Sequence, residues 1–104
     1  MEKYELLPKQ LLHEGTCQPE DFFSPSKIDE KSVIAVHDLD YVSRLKFKNL
    51  NKSEIRKIGF PISDQLIERE FIITGGTVMG ALKSLETGIS FNIAGGTHHA
   101  CSNR

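Results

Sequence analysis

Apolar positions recur along this chain first at helical spacing and then, near its end, as a short unbroken run. Between Lys3 and Glu14, Leu6, Leu7, Leu11 and Leu12 fall three and four residues apart, a helical stripe that Gly15 is placed to end. Pro8 lies inside the pattern and either opens the firm helix at its first turn or kinks it. Thr16 to Ser24 is mixed, with Phe22-Phe23 as its apolar anchor, and reads as an extended connection. Glu30 to Val36 then predicts a short helix capped by Asp29 or Ser26. Asp38 or Asp40 caps the next, in which Tyr41, Val42 and Leu45 share a face. Asn51 or Ser53 opens a single turn through Ile55, Arg56 and Ile58, stopped by Gly59 and Pro61.

The longest pattern follows. Ile67, Phe71, Ile72, Gly75, Val78, Met79, Leu82 and Leu85 form one stripe of a helix from about Ser63 to Thr87, closed by Gly88. Gly75-Gly76 in its middle costs about 1 kcal/mol per glycine relative to alanine, which implies close packing at that point. Ile89 to Ala94, bounded by Gly88 and Gly95-Gly96, predicts one firm strand of the parallel, buried kind, with no β partner nearby in the sequence. His98 and His99 come next, at the edge where α/β sheets hold their ligands. Adjacent imidazoles resist joint protonation, so one suits the role of base and the other of acid near neutral pH. On spacing alone, a polar surface turn with two solvated histidines is the favoured reading.

Composition narrows the class. The 104 residues make one small domain or a piece of a larger one. Hydrophobic content of 38% with 26% charged residues is that of a globular chain and argues against disorder. Net charge is −1, so no basic excess points to a nucleic-acid partner. No apolar run approaches the ~20 residues that span a bilayer, and Glu2-Lys3-Tyr4-Glu5 lacks the apolar stretch of a secretory signal. Cys17 and Cys101 form no motif pair, which fits a reduced, cytoplasmic setting. The basic run Arg44, Lys46 and Lys48 reads as a solvated helix end complementing the dipole.

Gly95-Gly96-Thr97-His98-His99-Ala100 resembles the Gly-Gly-x-His-His-Ala motif of the histone deacetylase family, which includes acetylpolyamine amidohydrolases and acetoin-utilisation proteins. Val36-His37-Asp38-Leu39-Asp40-Tyr41-Val42 resembles that family's early His, acidic and Tyr-Val block. Thr74-Gly75-Gly76-Thr77 resembles the Gly-Gly helix that precedes the motif strand. Order and gaps are most similar to the class IV branch and its bacterial relatives. The resemblance implies an α/β fold: residues 1–104 as the N-terminal third of a three-layer α/β/α arginase–deacetylase domain, here mostly helical, with an edge strand near Thr16–Phe23. A first strand would precede Met1, which looks internal to a longer enzyme.

The family's members are zinc-dependent amidohydrolases that cleave acetyl-lysine or other small acetyl-amides. By position, His98 and His99 would be the catalytic proton-handling pair, and Gly96 and Phe60 would touch substrate, Phe60 at the rim. Ile58-Gly59-Phe60-Pro61 carries no carboxylate where the family often places an acidic rim residue. The family's zinc ligands, an Asp-x-His pair and a later aspartate, have no counterpart in this sequence. His98, His99 and Cys101 make no hydrolytic zinc site without a further ligand, and nothing orients Cys101 as a nucleophile. His37 fits packing or a helix end better than a ligand role. The expectation is a truncated, zinc-dependent deacetylase-like hydrolase, inactive and metal-free alone. The alternative is a non-enzymatic interaction module whose orphan strand pairs with a second copy or with a C-terminal fragment.

Overall fold

The computed structural model describes residues 2–94 and 101–102. Five helices follow in order: α1 (Glu2–His13), α2 (Glu30–Val36), α3 (Leu39–Lys46), α4 (Lys52–Ile58) and α5 (Asp64–Thr87). Their ends obey local chemistry. Asp29 accepts from the Ser32 amide at 3.0 Å to open α2. Asn51 and Glu54 form a reciprocal capping box on α4, and Ser63 accepts from the Leu66 amide at 3.1 Å on α5. Gly15, Gly59 and Gly88 take left-handed φ of 76°, 85° and 93° just past α1, α4 and α5. α1 runs through Pro8 rather than starting at it.

α3 ends without a glycine. The Lys48 amide donates to Leu45 O at 3.1 Å and the Asn49 amide to Arg44 O at 2.7 Å, the paired bonds of a Schellman turn, with Lys48 itself at φ 59°. The basic run lies at the helix end and stays largely solvent-exposed, but it is also paired. Arg44 bridges Asp40 at 2.9 Å and also Glu54, Lys46 pairs with Glu30, and Lys48 reaches Asp64 at 3.2 Å. These pairs connect the end of α3 to α4, α2 and the start of α5.

The core is small and lies where α2 and α5 meet α3: Tyr41, Val42, Leu50 and Phe71 are buried. α5 is its spine. The connection before α2 runs along α5 in the opposite direction. Phe23 lies under the Lys83 ammonium at 5.1 Å, the Ser26 amide donates to Met79 Sδ at 3.1 Å, and the Ile28 amide donates to Phe71 O at 3.1 Å. Gly75 and Gly76 make that approach possible. A Cβ on Gly75 would overlap Ser26 O, and one on Gly76 would sit 3.2 Å from Pro25 Cβ. Close packing is therefore the reason for the glycines, although their partner is an extended segment and not a helix.

Three expectations require correction. Ile89–Ala94 forms no strand: among the described residues, 89–92 are irregular and 93–94 turn. A parallel strand needs a neighbour to take its amides and carbonyls, and no described segment offers one. Thr16–Phe23 likewise forms no edge strand and contains a 3-10 turn at Pro19–Asp21, closed by Asp21 accepting from the Gln18 amide at 2.8 Å. The α5 stripe is also only half used. Phe71, Gly75, Gly76 and Gly80 are buried, whereas Val78, Leu82 and Leu85 are exposed.

Much surface stays uncovered. The chain exposes 8099 Å², against roughly 5,900 Å² for a compact monomer of this length. Its radius of gyration is 15.7 Å, where about 13 Å is usual.

Candidate functional site

Six residues, 95–100, separate Ala94 from Cys101, and they include Gly96, His98 and His99. These three predicted site residues lie outside the described residues. The residues on either side of this stretch lie inside them, and each side is bonded to the helical framework.

The upstream flank is held by one side chain. Asn92 Nδ2 donates to Ile73 O at 3.0 Å and to Thr77 Oγ1 at 2.9 Å, both on α5. Its Oδ1 accepts from the Ala94 amide at 3.2 Å, the residue immediately before Gly95. Gly76 leaves room for this: a Cβ there would come within 3.2 Å of Asn92 Nδ2. A small cavity of about 150 Å³ lies alongside, between Gly76, Thr77, Gly80 and Ser84 of α5 and the segment Ser90–Asn92.

The downstream flank is held by the backbone. The Asp38 amide, at the start of α3, donates to Ser102 O at 2.8 Å. This joins the His37-Asp38 segment to the residues that follow the histidine motif in the sequence. Asp38 makes no side-chain cap on α3; its amide makes the bond to Ser102.

His37 caps α2 through its amide, which donates to Val33 O at 2.9 Å, and its ring meets the Tyr41 ring at 6.4 Å between centroids. Its Nδ1 is buried without a hydrogen-bond partner among the described residues. Burial pushes the Tyr41 hydroxyl pKa up, and the nearby Glu54 carboxylate adds to this while Arg44 opposes it. Phe60 is exposed in the turn after α4.

The larger cleft, about 420 Å³, lies elsewhere, between α2, the end of α3 and the start of α5. Lys27, Asp29, Glu30, Lys46, Asp64 and Glu68 line it over Ile67 and Phe71. Lys27 pairs with Glu68 at 4.0 Å and Lys46 with Glu30 across it. It contains no histidine and neither flank of the loop, so its size does not make it the site.

A hydrolytic zinc centre needs three or more converging His, Cys, Asp or Glu ligands. Among the described residues no such group exists, and the sequence has no Asp-x-His. The described residues by themselves do not supply the donor set of that metal. From the sequence, Asn92 has no role beyond its place in the run Ile89–Ala94, and Thr77 none beyond its place in the Thr74–Thr77 block.

The histone deacetylase domain family matches residues 1–104. An uncharacterized protein of Picosynechococcus sp. is 39% identical over 100 residues, covering 96% of this chain and 33% of that protein. A Xenopus laevis protein named "Probable histone deacetylase 1-B" is 33% identical over 101 residues, covering 86% of this chain and 21% of that protein. The chain thus spans a third or less of the relatives it matches. A match along the whole sequence shows that this chain belongs to the histone deacetylase family.

Proposed function

We propose that this chain is the part of a zinc-dependent deacetylase that carries the proton-handling histidines, His98 and His99, and that its metal ligands come from outside these 104 residues. The observation behind this reading is the Gly95–Ala100 motif, in a chain that matches the family from end to end. The reaction is hydrolysis of an acetyl-amide, on acetyl-lysine or a related small substrate. Water adds to the acetyl carbonyl, the C–N bond breaks, and acetate and the free amine leave. One imidazole takes the proton from the attacking water and its neighbour delivers one to the departing nitrogen. Gly96 leaves the backbone open to substrate, and Phe60 contributes to the rim. In the complete assembly Ile89–Ala94 becomes a strand of the three-layer arginase–deacetylase sheet, because neighbouring strands then take up its backbone groups. The zinc supplies carbonyl polarisation when present.

The experiment is reconstitution. The pure 104-residue chain, with or without added zinc, should not turn over an acetyl-lysine peptide. Co-expression with the remaining two-thirds of the Picosynechococcus relative should produce turnover that His98→Ala and His99→Ala abolish. Strong, His98-dependent turnover by the chain alone would sink the reading.

A second reading, a non-enzymatic module that pairs with another chain, is favoured by the surface. Val78, Leu82, Leu85, Ile89 and Phe91 follow one another along the exposed end of α5 and beyond, with Leu85 83% and Phe91 81% exposed. The surplus of about 2,000 Å² over a compact monomer matches the area of an obligate interface. Sedimentation should then show association at micromolar concentration that Leu85→Lys or Phe91→Lys weakens. A strictly monomeric chain would count against this second reading.

A further inference from the structure

The apolar stripe of α5 runs on past the core. Phe71 is buried together with Tyr41 and Val42 of α3, whereas Val78, Leu82 and Leu85 continue the same helix face in the open, at 46%, 60% and 83% exposure. We propose that this bare half of α5 is a homodimer interface. The α5 helices of two copies of the chain pack antiparallel, with Leu82 at the two-fold axis and Val78 of each copy against Leu85 of the other. The proposal rests on the second reading above, that the chain pairs with another, and names a second copy as the partner.

Three observations carry it. The face is open on the side that the rest of the fold does not use. Residues 23–28 cross the neighbouring side of α5, where Gly75 meets Ser26 and Met79 Sδ accepts from the Ser26 amide. Gly76 and Gly80 lie two residues either side of Val78, so they point to the far side of the helix, Gly80 towards Ser90. A sheet built on Ile89–Ala94 would therefore leave the stripe bare. The pattern is also self-complementary. Phe71, Val78 and Leu85 recur every seven residues with Leu82 between the last two, the seam of helices that pack in pairs. Leu82 has an apolar residue one turn before it and another one turn after, so reversing the helix direction matches the stripe to itself, as an isologous contact requires. Lys83, the charge inside this span, is turned away onto the Phe23 ring at 5.1 Å. Area is the third observation. The 8099 Å² that the chain exposes exceeds a compact monomer's surface by roughly 2,000 Å². A standard interface takes about 800 Å² from each partner.

The test uses the pure 104-residue chain. Sedimentation should show a monomer–dimer equilibrium at micromolar concentration. Leu82→Lys, present twice in the dimer, should weaken it at least roughly tenfold. Leu6→Lys, on α1 and also exposed, should change it by no more than about twofold. Leu82 is exposed, so circular dichroism should report the same helix content in its variants. Cross-linking then fixes the geometry. With diamide as oxidant, the L82C chain should form a disulfide to its copy at position 82, located by peptide mass spectrometry, faster than the L6C chain does at position 6. V78C and L85C chains, mixed, should link to each other faster than either links to itself. Cross-linking at L82C no faster than at L6C, or faster linking of like with like, would overturn the proposal. A strictly monomeric chain removes this proposal and the second reading together. Association indifferent to Leu82→Lys removes the proposal and leaves that reading standing. Loss of the L82C cross-link on binding the remaining two-thirds of the Picosynechococcus relative would assign the stripe to the rest of the domain, and would equally overturn it.

Discussion

Gly75 packs against Ser26 so closely that the first carbon of any side chain would overlap the Ser26 carbonyl. The contact is backbone against backbone, so no rotamer change relieves it. Gly75→Ala should cost about 2–3 kcal/mol of stability, the scale of overpacking, despite the roughly 1 kcal/mol that alanine gains in helix propensity. Gly76→Ala meets only the Asn92 amide and the Pro25 ring, each at 3.2 Å, and should cost clearly less. Urea denaturation of the two variants checks the order, and equal costs would refute the backbone explanation.

The guanidinium of Arg44 joins α3 to α4 through Glu54. Its hydrogen bond, followed by the Asn51 amide, holds the Glu54 carboxyl below the ordinary glutamate range. A carboxyl that binds its proton less tightly when folded contributes stability at neutral pH. That contribution is lost as the pH falls below about 4.3 and through the lowered folded value. Glu54→Gln should therefore flatten the acid limb of a stability–pH curve by lowering stability at neutral pH, modestly because the pair is solvent-screened, and leaving it unchanged in acid. An unchanged acid limb would show that the bridge does not form in solution.

Lys48 occupies a left-handed conformation at φ 59° that a Schellman turn ordinarily gives to glycine. Lys48→Gly removes the Cβ strain of about 1 kcal/mol and loses an exposed pair with Asp64 worth a few tenths. A net gain of about 0.5 kcal/mol is expected, visible as a raised thermal midpoint. Lys48→Ala keeps the strain and loses the pair, so it should fall slightly below the parent.

His37 contributes a ring to Tyr41 and an unpartnered buried nitrogen among the described residues. Its capping role is carried by its amide. His37→Phe preserves the ring contact and removes the stranded polar atom, so stability should be unchanged or higher by up to about 1 kcal/mol. His37→Ala should be destabilising. A large loss in the phenylalanine variant would show that Nδ1 has a partner in solution.

Local chemistry was readable without coordinates wherever cause and effect lie within a few residues. Asp29, Asn51 and Ser63 cap their helices by accepting amides three residues on, and Gly59 and Gly88 end theirs by turning left-handed, so each boundary follows from its immediate neighbours. The motif Gly95–Ala100 and the family were readable for the same reason, as residue types at fixed spacing. Only the tertiary structure decided what depends on distant partners. Whether Ile89–Ala94 becomes a strand rests on neighbours that supply its hydrogen bonds, and without them the run stays irregular. Which half of the α5 stripe is buried depends on where residues 23–28 cross it. The basic end of α3 becomes a set of cross-links because carboxylates from three other helices converge there. Asn92 looks like one of two polar residues in a largely apolar run until α5 brings Ile73 and Thr77 within 3.0 Å of it.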